Sequence, residues 1–140
     1  MRLIATLALA AAASLASAAQ AEDITVKIGV LNDMSSLYSD IGGQGSVIAA
    51  KMAIADFDPA AHGMKVELVN ADHLNKPDVG SGIARQWFDV DHVDAILDVP
   101  TSSVALVVNE VVREKNKVFL VSGAATSDLT GAKCSPNTVH

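Results

Sequence analysis

The sequence predicts an α/β fold, an open parallel sheet with helices on both faces. Three observations carry that prediction. Short runs rich in β-branched residues recur at 24–31, 64–70, 93–98 and 117–121. Between them lie segments whose apolar residues return every three to four positions, the period of a helix. The order is strand, helix, strand throughout, which builds βαβ units and hence a parallel sheet clad by helices.

Taken in order, Ile24-Thr25-Val26-Lys27-Ile28-Gly29-Val30-Leu31 reads as the first strand. A polar, glycine-bearing loop spans 32–45, and Val47, Ala50, Ile54 and Phe57 then share one helical face. Asp58-Pro59 ends that helix, because proline cannot continue it. Met64 to Asn70 alternates as a second strand. Asn75, Pro77 and Asp78 are helix-start chemistry: a cap, a preset φ and an acid in the first turn. Val79, Ile83, Trp87 and Val90 follow on one face, with Trp87 read as core. Val93 to Asp98 is the third strand. Pro100-Thr101-Ser102-Ser103 opens a third helix with Val104, Val107, Val108 and Val111 as its buried stripe. Lys115 and Lys117 sit where the helix dipole favours cations. Lys117 to Val121 is the fourth strand, and 137–140 begins a fifth.

The first 21 residues read as a cleaved export signal. Arg2 precedes an apolar run from Leu3 to Ala19, and Ala19-Gln20-Ala21 has the small-x-small pattern of a cleavage site, with Ala16-Ser17-Ala18 a second one. The run is short and Ala-rich for a membrane span, and no Cys beside it offers a lipid anchor. Residues 22–140 then form one unit. Their ending, Asn137-Thr138-Val139-His140, has no turn or cap and looks cut within an element, so a partial domain is expected. The chain is acidic, at a formal −6 and a pI near 4.9, which argues against nucleic-acid or anionic-membrane partners. The lone Cys134 of an exported chain points to a free thiol or to a partner beyond this sequence.

In a parallel sheet ligands sit at the carboxyl ends of the strands, near a switch in strand order. That puts three loops on one rim: 32–45, 98–103 and 122–131. Gly43-Gln44-Gly45 in the first lacks the third glycine of a dinucleotide fingerprint. Tyr38 either walls a pocket or packs its own loop. In the second, Thr101, Ser102 and Ser103 put three hydroxyls at a helix start, where capping needs one and free N–H groups favour a carboxylate. A serine nucleophile would need a base nearby, and the Gly-x-Ser-x-Gly elbow is absent. In the third, the small residues Gly123, Ala124 and Ala125 leave backbone groups uncovered. Ser127 and Thr130 read as local turn residues. His62, His73, His92 and His140 show no metal spacing. Asp72-His73 and Asp89-Val90-Asp91 read as solvated loop and helix end.

At these loops the chain resembles the leucine/isoleucine/valine-binding type of ABC-transporter substrate-binding protein, with a type I periplasmic binding fold. The resemblance rests on 26–31 leading into Asp33-Met34-Ser35, on Asp94-Ala95-Ile96 with Ser102-Ser103, on 121–126 with Asp128-Leu129-Thr130, and on Cys134-Ser135-Pro136-Asn137. It implies a periplasmic protein of two lobes closing on a small amino-acid-like or carboxylate ligand, with ABC permease subunits as partners. It implies capture without chemistry or cofactor. This chain would be part of the first lobe. By motif the ligand falls to Thr101, Ser102 or Ser103, foremost Ser102, and to Ala124, Ala125 and Thr126; Tyr38 joins them as a candidate wall from the loop reading alone. The chain departs from the family in Ser35-Ser36-Leu37 for a common Ser-Gly, in Gly123 for a frequent proline and in Ala124 for a frequent glycine, which leaves the ligand's side chain open. The same lobe also suits a sensory receptor domain, and an exported hydrolase using Ser102 or Ser103 is the third reading.

Overall fold

The computed structural model describes residues 24–140. The export signal expected at residues 1–21, with its expected cleavage sites, lies outside the described residues. Five strands form the sheet: β1 (Ile24–Asn32), β2 (Met64–Asp72), β3 (Ala95–Asp98), β4 (Val118–Val121) and β5 (Thr138–Val139). Three helices connect them: α1 (Gly43–Phe57), α2 (Pro77–Asp89) and α3 (Ser102–Lys115). The strand order is β2-β1-β3-β4-β5, and every neighbouring pair is parallel.

That order fixes the layers. The chain steps from β1 outward to β2, then crosses back over β1 to β3 and continues in that direction. Crossovers of one hand in opposite directions lay their helices on opposite faces. Side-chain alternation along the strands agrees. Val30, Leu97 and Leu120 line a groove with Ala49, Ala50 and Ala53 of α1. Leu31, Ile96, Phe119 and Val121 instead join Ala84, Trp87 and Phe88 of α2 and Val104, Val108, Val111 and Val112 of α3 in the main core. A fully buried valine or phenylalanine there contributes about 1.5–3 kcal/mol relative to exposure. Close approach is built in by glycine. A Cβ on Gly29 would lie 2.3 Å from the Trp87 ring, and one on Gly80 would lie 2.4 Å from Val104 Cγ1.

The structure revises several expected details. α1 starts at Gly43, a residue with φ +48°, so the first rim loop is only 33–42. Of the predicted α1 stripe only Val47 is buried, Phe57 is exposed, and Ile48 and Met52 are 57% and 61% exposed on other sides. Apolar residues all around this helix blur its inward face. Lys76, not Asn75, is the N-cap of α2, with no side-chain cap bond; Asn75 is left-handed, and its N–H donates to His73 Nδ1 at 3.0 Å. Val90 is the exposed C-cap of α2 and leaves the predicted stripe, while Trp87 is core as expected. In α3 the stripe widens to Ala105, Asn109 and Val112, and Val107 is only partly buried. Asn109 is buried because it has partners: its Nδ2 donates to Lys133 O at 2.8 Å, and its Oδ1 accepts from Thr138 Oγ1 at 2.6 Å.

Candidate functional site

β1 lies between β2 and β3, so the connections leaving β1 and β3 run to opposite faces. A crevice must open between them at the carboxyl ends of the strands. A cleft of about 510 Å³ lies there, lined by Tyr38 and Ile41 from the first loop, by 100–103, and by Gly123 and Ala125 from the third. One groove beside α1 is lined by apolar side chains alone; the other is mostly apolar, with Ser46, Asp98 and Ser122 also in its lining; this cleft presents hydroxyls from two loops and a helix start.

Each wall has a local cause. The first loop winds around Asp33, a buried residue at the end of β1. Its carboxylate accepts from the Ser36 amide at 2.9 Å, from the Ser36 hydroxyl at 2.7 Å and from the Tyr38 amide at 2.8 Å. Burial works to raise the Asp33 pKa, but these bonds outweigh it, and the group titrates below its ordinary value. The arrangement holds Tyr38 at the cleft mouth. Asp72, at the end of β2, ties down the start of that loop, accepting from Ser35 Oγ at 2.6 Å and Met34 N at 3.1 Å, and also accepts from Leu74 N at 2.8 Å. Its pKa is also lowered, those bonds overcoming the upward push of burial.

The second wall begins with a turn of unusual backbone. Asp98 has φ +80° and Val99 φ +57°, two successive non-glycine residues in the left-handed region. Thr101 follows as the N-cap of α3, in extended conformation. Hydroxyl capping was expected here, yet the Thr101 side chain makes no cap bond. Thr101 is only 8% exposed, and its Oγ1 has no hydrogen-bond partner among the described residues. The first N–H groups of α3 thus have neither an intrahelical partner nor a side-chain cap.

The third wall passes close to the second. A Cβ at Gly123 would sit 3.3 Å from both Cα and Cβ of Pro100, so glycine is what lets the segments touch. The Ala125 amide then donates to Ser102 Oγ at 3.2 Å. That bond uses the Ser102 oxygen as an acceptor and leaves its O–H free to donate.

The structure therefore gathers Tyr38, Thr101, Ser102, Ser103 and Ala125 around one cleft. Two predicted site residues do not line it. Ala124 is buried, and its carbonyl lies 2.5 Å from His140 Nε2. The Thr126 hydroxyl accepts from the Asp128 amide at 3.3 Å and caps the short 3-10 turn at 127–129. Small size made both look available, but the loop folds back on itself. Ile41, Pro100 and Gly123 are lining residues that were not singled out as site residues. Just past β2, His73 is fully buried, contrary to the solvated loop expected for it. Its Nδ1 accepts from Asn75, so the proton sits on Nε2. Burial lowers its pKa, against the upward pull of Asp33, Asp72 and Asp98.

The family model described as periplasmic binding protein matches residues 25–140. Among solved structures, a periplasmic binding protein from Burkholderia mallei is 46% identical, with a TM-score of 0.80; the match covers 83% of this chain and 31% of that one. A branched chain amino acid ABC transporter periplasmic ligand-binding protein from Burkholderia xenovorans LB400 is 45% identical, with a TM-score of 0.78, covering 82% and 31%. An ABC transporter solute binding protein from R. palustris, in complex with 4-hydroxybenzoate, is 28% identical, with a TM-score of 0.73, again covering 82% and 31%. No curated protein matches. The chain spans about a third of the length of the solved relatives it matches.

Proposed function

We infer that this chain, which belongs to the family of periplasmic binding proteins, is part of the first lobe of a periplasmic solute-binding component of an ABC importer. Its ligand is a branched-chain amino acid or a related small carboxylate, gripped by this lobe through its carboxylate. The observation that carries the reading is the uncapped start of α3, with Thr101, Ser102 and Ser103 facing Ala125 across the cleft. Relatives support the ligand class: one is named as a branched chain amino acid ABC transporter protein, and another was solved with 4-hydroxybenzoate.

The mechanism is capture. The start of α3 carries partial positive charge and unpaired N–H groups, both of which favour a carboxylate. The Ser102 O–H, oriented by the bond its oxygen accepts from Ala125, donates to the same group. Ser103 and Thr101 supply further hydroxyls, and Tyr38 bounds the mouth. A second lobe closing over the ligand excludes water, which strengthens these bonds. Closure is selected only by contacts that both lobes share with the ligand. The closed form is what permease subunits at the membrane engage.

The test is Ser102→Ala in the full-length protein, with calorimetric titration of L-leucine and of benzoate. A charge-assisted hydrogen bond contributes about 1.5–3 kcal/mol, so affinity falls at least about tenfold. Unchanged affinity removes Ser102 from the site and takes the reading of α3 with it.

A further inference from the structure

The three rim segments are joined by one chain of hydrogen bonds, buried at Asn32 and Asp98 and reaching the surface at Ser122. Asn32 ends β1 and is fully buried; its Nδ2 donates to Asp98 Oδ2 at 2.6 Å and to Gly43 O at 3.2 Å. Asp98 ends β3, and its other carboxylate oxygen accepts from the hydroxyl of Ser122, the first residue past β4. The main chain runs alongside: the Val99 amide donates to Leu31 O at 3.0 Å, and the Ser122 amide to Asp98 O at 3.4 Å. A Cβ on Gly42 would come within 2.9 Å of Asn32 Nδ2, so the start of α1 is packed onto the same side chain. One carboxylate thus ties together the strands from which every wall of the cleft departs, and Asp98 itself is not among the residues lining that cleft.

We propose that Asp98, acting with Asn32 and Ser122, is a positioning residue for ligand binding: it sets the spacing and angle between the first-loop, α3 and third-loop walls. This deepens the reading above and rests on it. The physical reason is the backbone at 98–99. Left-handed conformations at two consecutive non-glycine residues relax unless something over-determines them. The candidates on the spot are the two side-chain bonds of Asp98 and the complete burial of Val99. With the carboxylate gone, the turn is free to relax. Thr101 and Ser102, which carry two of the cleft's hydroxyls, follow it across Pro100.

The experiment titrates L-leucine and benzoate into the full-length wild type and into Asp98→Ala, Asp98→Asn, Ser122→Ala, Ser102→Ala and the core control Val108→Ala. Asp98→Ala is expected to weaken the bound probe about tenfold or more at unchanged stoichiometry, as misplaced contact groups do. Asp98→Asn returns most of that loss, because its amide oxygen accepts from Asn32 and its NH₂ donates to the Ser122 oxygen. Ser122→Ala removes one arm and falls between the two. Val108→Ala lowers stability and leaves affinity alone. A lower binding stoichiometry with an unchanged Kd in Asp98→Ala would mean lost fold rather than lost positioning, and overturns the proposal. So does wild-type affinity in Asp98→Ala, or in Ser122→Ala should Asp98→Ala not fold, while Ser102→Ala is weakened. Unchanged affinity in Ser102→Ala, or a wild type that takes neither probe, overturns the underlying reading instead.

Discussion

Replacing Gly29 by alanine puts one methyl group where the structure has no room for it. Gly29 lies in β1, against the face covered by α2, and the added Cβ would stand 2.3 Å from Trp87 Cζ3, 2.5 Å from Cε3 and 3.1 Å from Cη2. Carbon atoms pack at about 3.5–4.0 Å, so the ring must retreat by more than an ångström. It has nowhere to go: Trp87 is 6% exposed and shares its cluster with Leu31, Phe88 and Ile96. Overpacking of this kind costs about 1–3 kcal/mol. Against it stands the gain from restricting the unfolded chain, about 0.4–1 kcal/mol for Gly→Ala. At mid-range the net is a loss of about 1.3 kcal/mol. At a urea m-value of about 2 kcal/mol/M, the unfolding midpoint drops by roughly 0.6 M. Trp87 is the only tryptophan, so its fluorescence reports the transition directly. The partner test uses far-UV circular dichroism: in a Trp87→Phe background the same alanine costs less, with a coupling above about 0.5 kcal/mol. A midpoint unchanged or raised by Gly29→Ala would refute the claim that β1 and α2 are in contact through this glycine.

Two further outcomes follow from buried polar groups. His73 is held neutral by burial, so its folded pKa lies below the ordinary 6.5; its share of stability is full above about pH 6.5 and is lost as pH falls from there through the lowered folded value. Urea midpoints measured between pH 8 and 5 should fall over that window in the wild type and stay flatter in His73→Gln. The losses owed to Asp33 and Asp72, whose pKa values are depressed from 3.8, begin only near and below that value. Asn109→Leu leaves the Lys133 carbonyl and the Thr138 hydroxyl without their partner and is expected to cost about 1–3 kcal/mol, read as a lowered midpoint that Asn109→Ala shares.

Elements whose signal is local were legible. β1 and α3 carry their own periods, and Pro59 and Pro77 punctuate the chain without help from tertiary structure. That Tyr38, Thr101, Ser102, Ser103 and Ala125, five of the eight residues lining the cleft, share one rim was legible too, because parallel-sheet topology sends the ends of β1, β3 and β4 there. What failed depends on distant packing. α1 is apolar on every side, so periodicity could not give its buried face, and Gly43 and Gly45 suggested loop where the helix had begun. His73 stands among polar neighbours and reads as solvated; it is buried by the start of α2, with Gly80 close against its Cβ. Asn32, Asp98 and Ser122 each look like an ordinary turn residue, and they meet only because β3 settles between β1 and β4. The available signal was a short hydrogen-bonding side chain at or just past the end of three strands destined to be neighbours.

The turn at 98–99 brings these threads into one physical argument. Glycine is the residue that tolerates positive φ without cost, yet the sequence has Asp98 and Val99 there, each strained by about 1–3 kcal/mol. Such a cost persists only where the side chains return something that glycine cannot. Val99 returns full burial. Asp98 returns two hydrogen bonds, one to each flanking strand. The strained turn then delivers Thr101 to the cleft with its hydroxyl uncommitted and α3 uncapped. A relaxed turn with a capping side chain would stabilise the helix and consume the N–H groups that a carboxylate needs. In the proposed function, stability given up at this one corner is what keeps the helix start available for a ligand. The groups it offers, backbone amides and short hydroxyls, read charge and geometry rather than side-chain size.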